Sequence, residues 1–328
     1  MAKAIKKVGI LTSGGDSPGM NAAIRAVVRS CVYHGFESVG IYRGYEGLIE
    51  GDFEPLNARS VKNLISRGGT FLKSARSEEF RTEEGRLTAY NHLAKANIDA
   101  LIVIGGDGTF RGALALGKEH KFPIIGIPGT IDNDINGTDF TIGYDTALNT
   151  VVEAIDKIRD TAHSHNRLFL VEVMGRDAGD IALSAGIGAG AEIILIPEQN
   201  LGKERLIESL RRSKKSGKTS SIIVVSEGDK VGKNIYQIAD YIENTLTGYE
   251  VRVTVLGHVQ RGGSPSCRDR VFASRLGVNA IDALLRGEYG VMIGVQDSKI
   301  ISVPFSEAIK GENKIDKELI RVADITSI

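Results

Sequence analysis

Short apolar segments alternate with amphipathic stretches along nearly the whole of this chain, and that alternation restricts its fold more than any other feature. Residues 8–11 form an apolar run too short for a helix, and Met20, Ile24, Val27, Val28 and Cys31 then recur along one helical face. Similar runs at 39–42, 101–104, 124–127, 169–173, 193–196, 222–225, 251–256 and 292–295 predict strands. Segments 82–95, 147–161, 203–215, 234–246 and 268–286 predict helices. Parallel strands need a crossover, and a helix is the usual one, so this order predicts βαβ units in largely parallel sheets. Ligands of such sheets bind outside the carboxyl ends of the strands. The expected class is α/β, and 328 residues exceed the roughly 250–300 at which one core divides into two. No low-complexity linker or internal repeat marks a border.

Composition narrows the partners. Lys plus Arg and Asp plus Glu both number 41, a balance that argues against nucleic acid or a membrane surface. A phosphorylated substrate needs only a local basic cluster. The two cysteines, Cys31 and Cys267, have no CxxC or His-rich spacing, which speaks against a disulfide framework or structural zinc. Cys31 reads as a small buried hydrophobe. No segment has signal-peptide character or approaches the ~18 apolar residues of a membrane span, so the expected location is cytoplasmic.

Three loops that could carry chemistry each follow an apolar strand. In Leu11-Thr-Ser-Gly-Gly-Asp-Ser-Pro-Gly-Met-Asn21, glycines admit close backbone approach and the next helix offers free N–H groups to phosphate. The spacing of Gly14 and Gly19 imitates a Walker A loop, but Met20 and Asn21 stand where Lys and Ser or Thr belong. In Ile104-Gly-Gly-Asp-Gly-Thr109, Asp107 offers the hard oxygen that magnesium prefers. Pro128-Gly-Thr-Ile-Asp-Asn-Asp134 is the most informative. Phosphoryl transfer to a hydroxyl needs the nucleophile aimed in line, its proton accepted and the moving charge stabilised. A carboxylate within hydrogen-bond reach does the first two, and Asp132 is the candidate base. In an extended stretch Asp132 and Asp134 would share one side, with Asn133 opposite; a tight turn would break that alternation. An Asx-rich turn is the structural alternative. His163-Ser-His165 has no evident metal partners and reads as helix-end polarity.

With these motifs the chain resembles the bacterial-type ATP-dependent 6-phosphofructokinase family. The resemblance runs from Lys7 to about Val295, through Ser-Gly-Gly-Asp-x-Pro-Gly-Met-Asn-Ala-Ala-Ile-Arg, the two later loops, Met174-Gly-Arg176 and Gly257-His-Val-Gln-Arg-Gly-Gly263. It implies two Rossmann-like α/β domains with mainly parallel sheets and the active site in the cleft between them. The larger, ATP-binding domain would comprise 1–142 plus 259–308; the smaller, fructose 6-phosphate-binding domain would comprise 143–258 plus 309–328. The implied reaction is the magnesium-dependent transfer of the ATP γ-phosphoryl group to the 1-hydroxyl of fructose 6-phosphate, the committing step of glycolysis. The resemblance makes Asp132 the base, Thr130 a substrate-binding and catalytic hydroxyl, and Asp107 the magnesium ligand. Arg176 and Arg76 would face the transferring phosphoryl group. Gly15, Arg76, Ser77, Gly106, Asp107, Gly108 and Thr109 would hold ATP. Thr130, Ile131, Asp132, Met174, Gly175, Arg176, Glu227, His258, Val259, Gln260 and Arg261 would bind the sugar phosphate. Arg167 and Arg252 would reach it from a neighbouring subunit of a homotetramer.

Pyrophosphate-using relatives carry Asp where this chain has Gly108 and Lys where it has Gly129. A carboxylate at 108 would repel the α-phosphate of ATP, and a lysine at 129 would offer compact charge to pyrophosphate, so glycine at both implies ATP. Arg25, Arg29, Arg59, Arg159, Gly190, Ala191, Glu192 and Lys218 match positions that bind ADP or phosphoenolpyruvate in family members. Ser216, Thr219 and Ser220 stand in a stretch that is often more basic in relatives, which implies weaker binding of anionic effectors. Two other readings fit less well. A regulatory subunit that lost the chemistry would lack Asp132, Arg176 or the Gly-Gly-Asp-Gly run, and an NAD kinase would lack the Met-Gly-Arg and His-Val-Gln-Arg segments.

Overall fold

The structure is a computed structural model that describes residues 5–165, 167–199, 201–215, 221–231, 234–246, 250–310 and 315–327, without the side chains of 163–165. Lys218 of the effector set, with Ser216, Thr219 and Ser220, lies outside the described residues, as do the side chains of His163 and His165. In chain order the strands are β1 (Lys7–Thr12), β2 (Glu37–Ile41), β3 (Phe53–Leu56), β4 (Ala100–Gly105), β5 (Ile124–Pro128), β6 (Leu168–Val173), β7 (Ile193–Leu195), β8 (Ser221–Ser226), β9 (Val251–Val255), β10 (Val291–Gln296) and β11 (Lys299–Pro304). The helices are α1 (Met20–Tyr33), α2 (Gly44–Glu50), α3 (Glu83–Lys95), α4 (Asp107–His120), α5 (Tyr144–His165), α6 (Asp180–Gly188), α7 (Gly202–Lys215), α8 (Ile235–Thr245), α9 (Cys267–Leu285), α10 (Phe305–Ala308) and α11 (Lys317–Thr326).

Two compact units result: Met1–Thr146 with Arg261–Asn313, and Ala147–Gln260 with Lys314–Ile328. The first holds a seven-stranded sheet in the order β11-β10-β5-β4-β1-β2-β3, parallel except at its two edges. The second holds a parallel four-stranded sheet, β7-β8-β6-β9. The two outer edges of the first sheet differ: β3 has little apolar pattern, whereas β11 carries Ile300, Ile301 and Val303. In β3 the exposed Glu54 and Pro55 occupy an edge strand, where the missing N–H of proline costs no ladder bond. The short helices α2, α6 and α10 are likewise too brief for a clear period.

Strand alternation sorts the first core into two faces. Val8 and Ile10 pack with Ile24 and Val27 of α1 and Leu276 and Ile281 of α9. Leu11, Leu101 and Val103 pack on the other face with Tyr45, Leu93, Phe110 and Phe305. In the second unit Leu168, Leu170, Ile223 and Val225 meet Leu206 and Leu210 of α7 and Ile238 and Ile242 of α8. Among the described residues no helix is long and apolar enough to cross a membrane.

Candidate active site

Adjacent parallel strands β1, β4 and β5 end at one edge of the first sheet, so the loops that follow them touch. The N–H of Ser13 donates to the Ile104 carbonyl at 3.0 Å, and that of Gly129 to the Gly105 carbonyl at 3.0 Å. Thr109 Oγ1 donates to the Ser13 carbonyl at 3.1 Å, which commits this buried hydroxyl to joining two loops. Arg261 Nη1 donates to the Asp16 carbonyl at 3.2 Å. A Cβ at position 15 would stand 2.6 Å from that nitrogen, so a larger residue there would push the Arg261 guanidinium aside. Arg76 is exposed, and Ser77 Oγ accepts the Phe80 N–H at 3.3 Å.

Asp107 opens α4 at the loop after β4, with a half-exposed carboxylate 3.5 Å from Arg111 Nε. The two donor-deciding glycines differ in surroundings. A Cβ on Gly108 meets nothing within 4 Å, whereas one on Gly129 would lie 3.1 Å from both Ile104 Cγ2 and Met20 Cε. A side chain at position 129 would therefore begin in packed apolar space, whose neighbours would have to give by a few tenths of an ångström.

Asn133 resolves the question of side-chain alternation. Its φ of 53° is left-handed, so the chain turns there, and Asp132 and Asn133 are both buried, at 1% and 5% exposure. The Asn133 side-chain amide donates to the Asp139 carbonyl at 3.3 Å, a longer-range tie than an Asx turn makes. Thr141 Oγ1 lies 2.6 Å from the Thr130 carbonyl and 3.3 Å from Asn133 Oδ1. Thr130 Oγ1 accepts the Asp132 N–H at 3.2 Å. Ile131 is wholly buried, so of the expected substrate contacts it has only main-chain atoms to offer.

The far end of this loop is anchored by Asp269, which the motifs did not single out. Its buried carboxylate accepts the N–H groups of Gly143 and Thr146 at 3.0 and 2.8 Å, and the Thr146 hydroxyl at 2.5 Å. Burial pushes its pKa up, while the bonds from Thr146 and Gly143 oppose that shift. A signal existed in Ser266 three residues earlier, an N-cap whose Oγ accepts the Asp269 N–H at 3.1 Å.

In the second unit the Met174-Gly-Arg176 turn leaves the carboxyl end of β6. Glu227, just past β8, accepts the N–H groups of Gly175 and Arg176 on Oε1 at 3.2 and 2.7 Å. Gln260, expected on the sugar phosphate, is instead fully buried. Its Oε1 accepts the Met174 N–H at 3.1 Å and its Nε2 donates to the Gly257 carbonyl at 3.0 Å, because those two backbone groups need partners inside the fold. His258 and Val259 are exposed. The carboxyl pKa of Glu172 is raised by burial and then by the charge of Glu227.

Arg167 immediately precedes β6, and Arg252 lies near the start of β9. Both therefore sit at the opposite ends of their strands from Met174 and His258. Of the effector set, Arg159 donates to the carbonyls of Ala189 and Gly190, both at 2.7 Å, and lies 3.6 Å from Glu192. Arg25, Arg29 and Arg59 belong to the first unit; burial, and then the charge of Arg29, lower the Arg25 pKa.

Residues 7–284 match the model that describes phosphofructokinase. The chain belongs to the phosphofructokinase family. ATP-dependent 6-phosphofructokinase 2 of Bacteroides thetaiotaomicron is 52% identical to this family member over 324 residues, 99% of each chain. The ATP-dependent 6-phosphofructokinase of Bacillus thuringiensis is 55% identical over 324 residues, covering 99% of this chain and 100% of its own. A solved phosphofructokinase from Saccharomyces cerevisiae superposes with a TM-score of 0.87 at 38% identity, over 98% of this chain and 48% of that one. This phosphofructokinase-family chain thus spans about half the length of the yeast chain. The pyrophosphate-dependent phosphofructokinase of Marinobacter aquaeolei, at 23% identity and a TM-score of 0.84 over 96% of this chain and 86% of that one, shares the fold.

Proposed function

We propose that this chain is an ATP-dependent 6-phosphofructokinase, which transfers the ATP γ-phosphoryl group to the 1-hydroxyl of fructose 6-phosphate in the cytoplasm. The observation that carries this reading is identity of 52% and 55% with relatives of that name over 99% of this chain. The first unit would hold the nucleotide and the second the sugar phosphate. Asp132 accepts the proton of the attacking hydroxyl as the new O–P bond forms, and ADP leaves with the electrons of the broken P–O bond. The hydrogen bond from its own N–H to Thr130 and the turn at Asn133 hold Asp132 in a fixed frame. Arg176 and Arg76 balance the charge on the moving phosphoryl group, which suits a site without a Walker lysine.

Magnesium fits this donor set. Asp107 presents one hard oxygen at the open start of α4, and among the described residues no three metal-ligating side chains cluster. Magnesium commonly takes one or two carboxylates and fills its shell with water and substrate phosphate oxygens. When bound, the ion neutralises phosphate charge.

A site shared between subunits of a homotetramer is supported by strand geometry. The six residues of β6 span roughly 20 Å at ~3.3 Å per residue, separating Arg167 from the Met174 turn. Arg167 and Arg252 are thus better placed to serve a second copy. Regulation by ADP and phosphoenolpyruvate through Arg25, Arg29, Arg59 and Arg159 is part of the same reading. The test is an initial-rate assay crossing ATP and pyrophosphate with fructose 6-phosphate, each with and without ADP and phosphoenolpyruvate. Turnover with ATP and none with pyrophosphate is expected; no turnover with ATP would sink the reading.

A further inference from the structure

Glu250 stands between the two arginines that the proposed function gives to the substrate phosphate. Arg167 Nε donates to Glu250 Oε2 at 2.8 Å, and Arg252 Nη2 donates to Glu250 Oε1. Strand register builds this trio. Strands β6 and β9 are parallel neighbours with Leu168 opposite Val251, so the residues preceding each strand lie side by side. The Leu168 N–H donates to the Glu250 carbonyl at 3.1 Å, and the Val251 N–H to Glu243 Oε1 at 2.9 Å, which fixes the backbone on both sides of the carboxylate. One carboxylate, with each oxygen on a different guanidinium, offsets one of two positive charges. A phosphate ester seeks the same N–H donors.

We propose that Glu250 is an internal counter-anion that pairs Arg167 with Arg252 and competes with the sugar phosphate for them, thereby setting substrate affinity. The proposal rests on the assignment of these arginines under the proposed function. Glu250 touches no reacting atom and is a positioning residue. The side chains of Arg252 and Glu250 are 50% and 45% exposed, so screening keeps the competition modest.

The test compares the full-length wild type with Glu250→Gln and Glu250→Asp. Glu250→Gln keeps the shape but not the charge, and should lower KM for fructose 6-phosphate about two- to tenfold, with kcat within about twofold. Its KM should also rise more steeply with added NaCl, because an offset charge has become an open one. Glu250→Asp keeps the charge but withdraws it by one methylene, and should lower KM less than Glu250→Gln does. Equilibrium binding of fructose 6-phosphate without ATP should tighten in Glu250→Gln by the same factor. Unchanged or weaker binding in Glu250→Gln, or a KM in Glu250→Asp as low as or lower than in Glu250→Gln, overturns the proposal. A wild type that binds the sugar phosphate without phosphorylating it would overturn the reading of function instead, and the binding comparison would still decide the role of Glu250.

Discussion

The backbone N–H of Arg176 donates to Glu227 Oε1 at 2.7 Å, so a carboxylate from one strand end holds the turn after the neighbouring strand. Arg176 takes a left-handed φ of 52° in that turn. Hydrogen bonds to a charged acceptor contribute about 1.5–3 kcal/mol each. Glu227→Ala should lower kcat/KM for fructose 6-phosphate by about 10²-fold or more. Glu227→Gln, whose Oε1 can accept both N–H groups, should lose less than about tenfold. Equal losses in steady-state assays would dismiss the backbone role.

Asp132 is the proposed base, and its burial leaves little room for a change of shape. Asp132→Asn should reduce kcat by about 10²–10⁴ with KM for fructose 6-phosphate largely kept. Near-normal turnover would remove the assignment.

The two glycines beside the donor predict opposite outcomes. Gly108→Asp meets open space, so its thermal midpoint should match the wild type while KM for ATP rises at least about tenfold through charge repulsion. Gly129→Lys brings its Cβ to 3.1 Å from Ile104 and Met20, which must give slightly, and should lose about 1–3 kcal/mol of stability from overpacking. Calorimetry together with ATP titration separates the two effects.

Arg86 and Glu119 form a paired contact, Nε to Oε2 at 2.7 Å and Nη2 to Oε1 at 2.6 Å, with Arg86 only 8% exposed. The hydrogen bond from Arg86 lowers the Glu119 pKa. A depressed carboxylate pKa stabilises the fold above the unfolded value and is lost as pH falls through the folded one. Glu119→Gln should therefore cost about 1–3 kcal/mol at pH 7, and the gap should close below about pH 4. Urea unfolding at stepped pH measures it; a gap that persists in acid would contradict the ion pair.

Ser17 is fully buried in the first loop, and its hydroxyl has no hydrogen-bond partner among the described residues. A buried hydroxyl left unpaired costs about 1–3 kcal/mol, so Ser17→Ala should raise the unfolding midpoint. A lowered midpoint would mean the hydroxyl is bonded in solution.

Much of this fold is legible in the sequence. The runs from residue 8 to 295 specified the interior strands, because a period of burial is a local property of sequence. The edge β3 is not legible, since an edge strand needs little apolar character; β11 carries Ile300, Ile301 and Val303, an apolar signal that the strand assignment passed over. Gln260 looked like a ligand contact because its neighbours did; only the fold commits its amide to Met174 and Gly257.

Asp132 was marked by residue type and position after a strand, and the sequence alone determined that a carboxylate would follow β5 beside glycine loops. Only the tertiary structure decided that Asn133 makes the turn, that Asp269 anchors the loop's far end, that a side chain at position 129 would begin in packed apolar space, and that Glu250 spans two arginines. The physical reason is that hydrophobic period encodes which residues are buried within one element. Which strands pair, and which groups they bring within hydrogen-bond reach, follows from long-range packing that no single segment contains.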